Sequence, residues 1–257
     1  MSHEDEYGDA MIDVLELVWG DGYMAPGGPG NVDRMVRDMD LNGKSVLDIG
    51  CGIGGPAFHL IQNHGATVTG IDLEAPLVAR AAAKAEQIGI ADKAIFQTVE
   101  IGPLPFPANS FDLAFSSGAL TQTEDKKGMF AEVMRVLKPG GWFSTYDWLK
   151  IPGPYSETML QWFELEGLTY AMQTLEDYEI LLNEAGFTDI EIADASDWYR
   201  NVVQEEYQSL KGPHYNRMVS KIGQENADHF VENWRVMALV CEKGEMRQGY
   251  MRGRKPV

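Results

Sequence analysis

The sequence predicts an α/β fold: an open, mostly parallel sheet with helices on both faces. Two observations carry this. Between residues 45 and 146, short apolar runs alternate with longer helix-forming stretches, the rhythm of strands joined by crossover helices. The first run, Ser45 to Ile49, passes directly into Gly50-Cys51-Gly52-Ile53-Gly54-Gly55, a glycine turn that opens onto a helix. The chain has 257 residues, 44% of them hydrophobic, enough for one large core and a lid.

The elements follow in order. Met11, Val14, Leu15 and Val18 recur at helical spacing, which predicts a helix over Ala10 to Trp19. The glycines and prolines of Gly20 to Gly30 end it, and Asn31 is placed to cap a short helix over Val32 to Met39. Strands are expected at Ser45 to Ile49, Thr67 to Ile71, Ala94 to Thr98, Phe111 to Ser116 and Trp142 to Tyr146. Helices fall between them at Ala57 to Asn63, Leu77 to Ile88 and Lys126 to Leu137. Beyond residue 150, helices are expected at Ser156 to Ala171, Leu175 to Ala185, Asp197 to Lys211 and Asn226 to Lys243, although Val236 to Cys241 taken alone also reads as a strand. Strands at Asp189 to Ala193 and near Gly249 to Met251 would complete a seven-stranded sheet. This is one domain, 1–257: N-terminal lid helices in 1–42, a core in 43–150, and a helical insertion with the end of the sheet in 151–257.

The net charge of −18 repels phosphates and anionic lipids, so neither nucleic acid nor membrane is an expected partner. Such a surface keeps a protein in solution and weakly favours a cationic small substrate. No apolar run approaches the roughly 20 residues a membrane span needs, and the acidic start, Met1 to Asp9, does not resemble a secretory signal. Two cysteines without a spacing motif point to a reducing, cytoplasmic setting. Five histidines scattered without H-x-x-x-H spacing predict no metal site.

The glycine turn admits two ligand classes. Gly50, Gly52 and Gly55 satisfy a dinucleotide pattern, with Asp72 about 20 residues on. Asp48, two residues before the first glycine, favours a different ligand, because a carboxylate there can meet the ammonium of a methionine moiety. Asp72 can accept ribose hydroxyls in either scheme. The Asp48-x-Gly50-x-Gly52 string, Phe106-Pro107-x-x-x-Phe111-Asp112 and Leu137-Lys138-Pro139-Gly140-Gly141 together resemble the class I S-adenosylmethionine (SAM)-dependent methyltransferases. The resemblance implies a Rossmann-like fold, SAM as cofactor and S-adenosylhomocysteine (SAH) as product. It also implies an adenine contact at Glu100, which otherwise reads as a solvated carboxylate, apolar walls from Leu73 and Ile101, and a cofactor contact at Ser116.

A closer resemblance covers nearly the whole chain. Glu6-Tyr7, Trp19-Gly20-Asp21-Gly22-Tyr23-Met24, Tyr170, Thr174-Leu175-Glu176-Asp177-Tyr178, Asp194-x-Ser196-Asp197-Trp198 and Met246-Arg247-Gln248-Gly249-Tyr250 look like phosphoethanolamine N-methyltransferases. By that resemblance Tyr23 and Met24 lie at the cofactor, and Tyr7 closes over the active site to position or deprotonate the amine. The family's histidine partner is replaced by Gln122, which can hydrogen-bond but cannot act as a base. Of the family's phosphate grip only Tyr170 remains; Trp148, Glu164, Leu168 and Met237 stand at the other matched places. The expected acceptor is therefore a small amine lacking phosphate, in a pocket of Trp148, Trp162, Tyr170 and Glu164 suited to an onium group. Asp147 is an expected polar contact there, and Arg200, Lys211 or Arg235 would serve a substrate carboxylate. Two other readings stay open: an S-methyltransferase making a sulfonium (or an O- or C-methyltransferase), and a SAM-binding sensor without turnover. A monomer or weak homodimer is expected.

Overall fold

The computed structural model describes residues 8–168 and 170–257. Two short helices, α1 (Asp9–Trp19) and α2 (Gly28–Met35), precede the alternation β1 (Ser45–Ile49), α3 (Gly55–His64), β2 (Thr67–Asp72), α4 (Ala75–Gln87), β3 (Ala94–Thr98) and β4 (Phe111–Ser117). After a single 3-10 turn at Leu120–Gln122 come α5 (Lys126–Val136), β5 (Leu137–Lys150), α6 (Glu157–Glu166), α7 (Leu175–Glu184) and β6 (Thr188–Asp194). The chain ends in α8 (Ser196–Leu210), α9 (Tyr215–Ile222), α10 (Gln224–Glu242) and β7 (Met246–Arg254).

The seven strands form one sheet in the order β3-β2-β1-β4-β5-β7-β6, with β7 antiparallel to both neighbours and the others parallel. Successive residues of β1 enter opposite layers. Val46 packs with Val32, Phe58 and Phe115, while Leu47 packs with Phe130, Val133 and Tyr178. This two-sided burial is why the strand reads as an unbroken apolar run. The order reverses at β1 and β4, which creates a crevice beyond their carboxyl ends, where open α/β sheets bind ligands. A third cluster, around Trp162, Tyr199, Phe230 and Trp234, joins α1, α6, α8, α9 and α10 into a helical lid. Among the described residues, no helix is long and apolar enough to cross a membrane.

Several boundaries differ from expectation for identifiable reasons. Asn31 does not cap α2, because Gly27 in a left-handed conformation and Pro29 start the helix earlier. The Asn31 side chain instead accepts from the Tyr250 hydroxyl at 2.5 Å. Helix α6 stops at Gly167, φ 77°, so Leu168, Tyr170 and Ala171 are not helical. Strand β5 runs to Lys150 and β7 to Arg254 because each pairs with the other along its length. Helix α9 was not foreseen, although Tyr215, Met218, Val219 and Ile222 face the lid core. Val236 to Cys241 is helical, as the family resemblance implies.

Candidate active site

The glycine turn after β1 is held from three sides. The Gly50 and Cys51 amides donate to the Ile71 carbonyl at 2.8 and 3.0 Å, and the Gly52 amide donates to Asp72 Oδ2 at 2.8 Å. Gly50 lies at φ 72°, and a Cβ there would fall 2.1 Å from that of Ala119. The N-terminal segment closes over this turn: the Gly55 amide donates to the Gly22 carbonyl at 2.9 Å, and Met24 packs with Ile12, Ile53 and Leu77. Asp48, at the end of β1, is 1% exposed, and its Oδ2 has no hydrogen-bond partner among the described residues. Burial, with the Asp72 charge adding to it, pushes its carboxyl up to about 7. A buried carboxylate with an open acceptor beside a glycine turn suits a ligand ammonium, so the residues present fit the methionine end of SAM. Asp72 also accepts from the Glu74 amide at 3.1 Å, which fixes its carboxylate at the end of β2 with acceptor capacity left for hydroxyls. Leu73 and Ile101 stand 51% and 90% exposed at the same edge, apolar surface that an adenine would cover, and Glu100 is exposed beside them. Tyr23 is buried under the turn.

Ser116 belongs elsewhere. It is fully buried and donates to the Ile49 carbonyl at 2.9 Å, tying β4 to β1 rather than facing the crevice. The recurring motifs around β4 and β5 are likewise braces. Despite partial burial, hydrogen bonds from Lys138, 2.7 Å away, and Ser45 hold Asp112 down at about 2.

On the acceptor side the structure brings together three of the expected aromatic residues. Trp162 stacks on Tyr170 at 4.9 Å and 15°, while Trp148 lies 5.4 Å from Trp162 and 5.8 Å from Tyr170. The indole nitrogens of Trp148 and Trp162 are buried without a hydrogen-bond partner among the described residues, as are both ends of the Gln248 amide and the Tyr146 hydroxyl, on adjoining strands. Two expected acidic members do not join the box. Glu164 is exposed, because it lies about 200° around α6 from Trp162, the residue that faces the core. Asp147 projects from the other face of β5, where it is fully buried and accepts from the Thr121 amide at 2.9 Å and from the Tyr178 hydroxyl. It is a brace between the two halves, and burial pushes its carboxyl up to about 7. Gln122 is exposed on the 3-10 turn. Tyr7 lies outside the described residues.

Sequence reasoning missed Thr121 and Glu206. The Thr121 amide binds Asp147, and its carbonyl accepts from the Ala171 amide at 2.9 Å, linking the turn after β4 to the aromatic segment. Glu206 is buried and receives two lid indoles, Trp19 at 2.8 Å and Trp234 at 3.0 Å. Burial nevertheless pushes it up to about 7. A signal existed: with Tyr199, Val203 and Leu210 it shares the buried face of α8, a charge on an apolar stripe.

The sheet order, the glycine turn and the paired Asp48 and Asp72 are those expected of a SAM-binding methyltransferase domain. Residues 46–141 match a family of methyltransferase domains. The chain is 32% identical to a phosphoethanolamine N-methyltransferase of Triticum aestivum over 97% of its own length and 49% of the wheat protein's. It is 28% identical to the Plasmodium falciparum phosphoethanolamine N-methyltransferase, over 80% of this chain and 77% of that one. Its fold matches Haemonchus contortus phosphoethanolamine N-methyltransferase 2, solved with phosphomonomethylethanolamine and S-adenosylhomocysteine, with a TM-score of 0.91 at 24% identity over 100% of this chain and 61% of that one. The chain thus spans about half the length of the plant relatives it matches.

Proposed function

We propose that the domain transfers a methyl group to the nitrogen of a small amine that carries no phosphate. The observation that supports this reading is the box of Trp148, Trp162 and Tyr170. Aromatic faces attract an onium group by roughly 0.5–2 kcal/mol, whereas these three side chains bring no positive charge to a phosphate dianion. The buried lysine nearest this region, Lys126, spends its ammonium on the Thr123 and Ala171 carbonyls, at 2.8 and 2.6 Å.

Bound SAM supplies an electrophilic sulfonium methyl. The protein's work is alignment and exclusion of water. Asp48 holds the ligand ammonium, Asp72 the ribose hydroxyls, and Leu73 and Ile101 flank the adenine beside Glu100. The Gly22–Gly55 contact and Met24 close the N-terminal segment over the loop. Tyr7 and Gln122 orient the nucleophile, and Tyr7 accepts or relays its proton.

The test is an acceptor panel with mass detection: phosphoethanolamine, ethanolamine, small amino acids and a thioether. The expected result is methylation of an unphosphorylated amine, with phosphoethanolamine slower by at least about 100-fold, because a desolvated dianion without a cation costs several kcal/mol. A preference for phosphoethanolamine overturns the reading. A second reading, S-methylation of a thioether, is favoured by one observation: Gln122, which takes no proton, stands exposed where the relatives' histidine is matched. A thioether has no proton to lose, so Tyr7→Phe would be nearly silent on it.

A further inference from the structure

The sequence scatters its histidines, but the fold does not. His59 and His64 lie on α3, five residues apart, and α2 brings Asp33 against both. His59 Nε2 is 2.7 Å and His64 Nε2 2.8 Å from the same oxygen, Asp33 Oδ1. The three donor atoms lie within 4.8 Å of one another. The imidazoles stand edge to face with centroids 5.6 Å apart, and they are mostly covered while the carboxylate is half exposed.

We propose that Asp33, His59 and His64 form a surface site for a single divalent transition-metal ion of the zinc type, joining α2 to α3. Two imidazole nitrogens and one carboxylate oxygen are the ligand set of an open tetrahedral zinc site, with water in the fourth place. As it stands, one carboxylate oxygen receives both Nε2–H groups. For Nε2 to ligate a metal ion, each neutral imidazole shifts its single proton from Nε2 to Nδ1. Asn63 is set to hold that proton on His59: its amide lies 3.1 Å from His59 Nδ1, and turning the amide end for end presents its oxygen as acceptor. The needed adjustment is small. Bonds of about 2.1 Å in a tetrahedron put ligand atoms about 3.4 Å apart, so the Asp33 contacts open by about 0.7 Å. The exposed carboxylate can swing that far without moving either helix. A formal charge of −18 favours cation uptake. Because α3 begins at Gly55, whose amide donates to the Gly22 carbonyl of the N-terminal segment, such an ion would clamp the ground beneath the glycine turn.

The test uses tag-free full-length chain in a His3→Ala background, titrated with Zn2+ or Co2+ by calorimetry. One equivalent is expected, with Tm rising by about 5 °C at 100-fold excess over Kd. Co2+ should give the intense visible bands of tetrahedral coordination. His59→Ala and His64→Ala should each lose at least about 100-fold in affinity, and Asn63→Ala about 10-fold. Absence of saturable uptake, a weak octahedral Co2+ spectrum, or equal uptake by the His59→Ala/His64→Ala double variant overturns the proposal. The wild-type Co2+ spectrum decides the matter even where a variant fails to fold.

Discussion

The proposed donor and acceptor sides of the crevice are built in opposite ways. The donor side is local. Two short strand-to-helix junctions, around Asp48 to Gly55 and Asp72 to Glu74, supply nearly all of it, and backbone amides fix it. The acceptor side is assembled from segments far apart in sequence: Trp148 on β5, Trp162 on α6, Tyr170 beyond it, and Gln248 on β7. On the donor side the buried Asp48 carboxylate stands out for its open oxygen, whereas the acceptor side leaves several polar atoms without a partner among the described residues. Each unpaired buried group costs about 1–3 kcal/mol, so these are the places where a ligand gains most. A donor shared across a large family can be read by a short motif; an acceptor particular to one protein is read by side chains the fold gathers.

That contrast can be broken most severely at Gly50. Gly50→Ala adds a Cβ 2.1 Å from Ala119 at a left-handed φ, so SAH affinity by calorimetry should fall by at least about 100-fold. Near-normal binding would mean the turn is not the donor site. Tyr7→Phe should lower kcat on an amine by about 100-fold and leave SAH affinity unchanged. The reverse pattern would move Tyr7 from the acceptor side to the donor side.

Asp48 sharpens the comparison through pH. Its folded pKa of about 7 lies above the ordinary carboxylate range, so the fold favours the protonated form. Stability therefore falls as pH rises from about 4 to about 7 and levels off above that, where the carboxyl is ionised in both the folded and the unfolded chain. The ligand ammonium needs the charged form, so SAH affinity should weaken about tenfold per pH unit below pH 7. Asp48→Asn should abolish that dependence, weaken binding about 10–100-fold, and raise the Tm at pH 8 by a few degrees. A flat wild-type pH profile would remove Asp48 from the ammonium contact.

The smallest expected effects lie at the aromatic box and the lid. Trp148→Leu should raise the acceptor KM about 3–30-fold with SAH affinity intact, the range a cation–π contact supplies. Arg80 ties α1 to α4 through Asp13 at 3.1 Å and Glu16 at 2.9 Å, and Glu16 in turn accepts from the Gly22 amide at 2.8 Å. Because these are partly exposed ion pairs, Arg80→Ala should weaken SAH by no more than about fivefold.

The sequence by itself determined the alternation of β1 to β5 with their helices, the glycine turn, and the roles available to Asp48 and Asp72. Those features depend on contiguous residues, whose period and backbone freedom are written in the chain. It also marked Trp148 and Tyr170 through a family resemblance, and Trp162 as an aromatic neighbour for them. Tertiary structure decided which of the marked residues share a surface. Ser116 and Asp147 became braces because alternation along β4 and β5 turns them into the sheet's layers, and Glu164 went to solvent because of its angle around α6. Helix packing alone brought Asp33 to His59 and His64, and Glu206 to Trp19 and Trp234. Contacts between residues tens to hundreds of positions apart are set by how faces dock, and no local spacing records that.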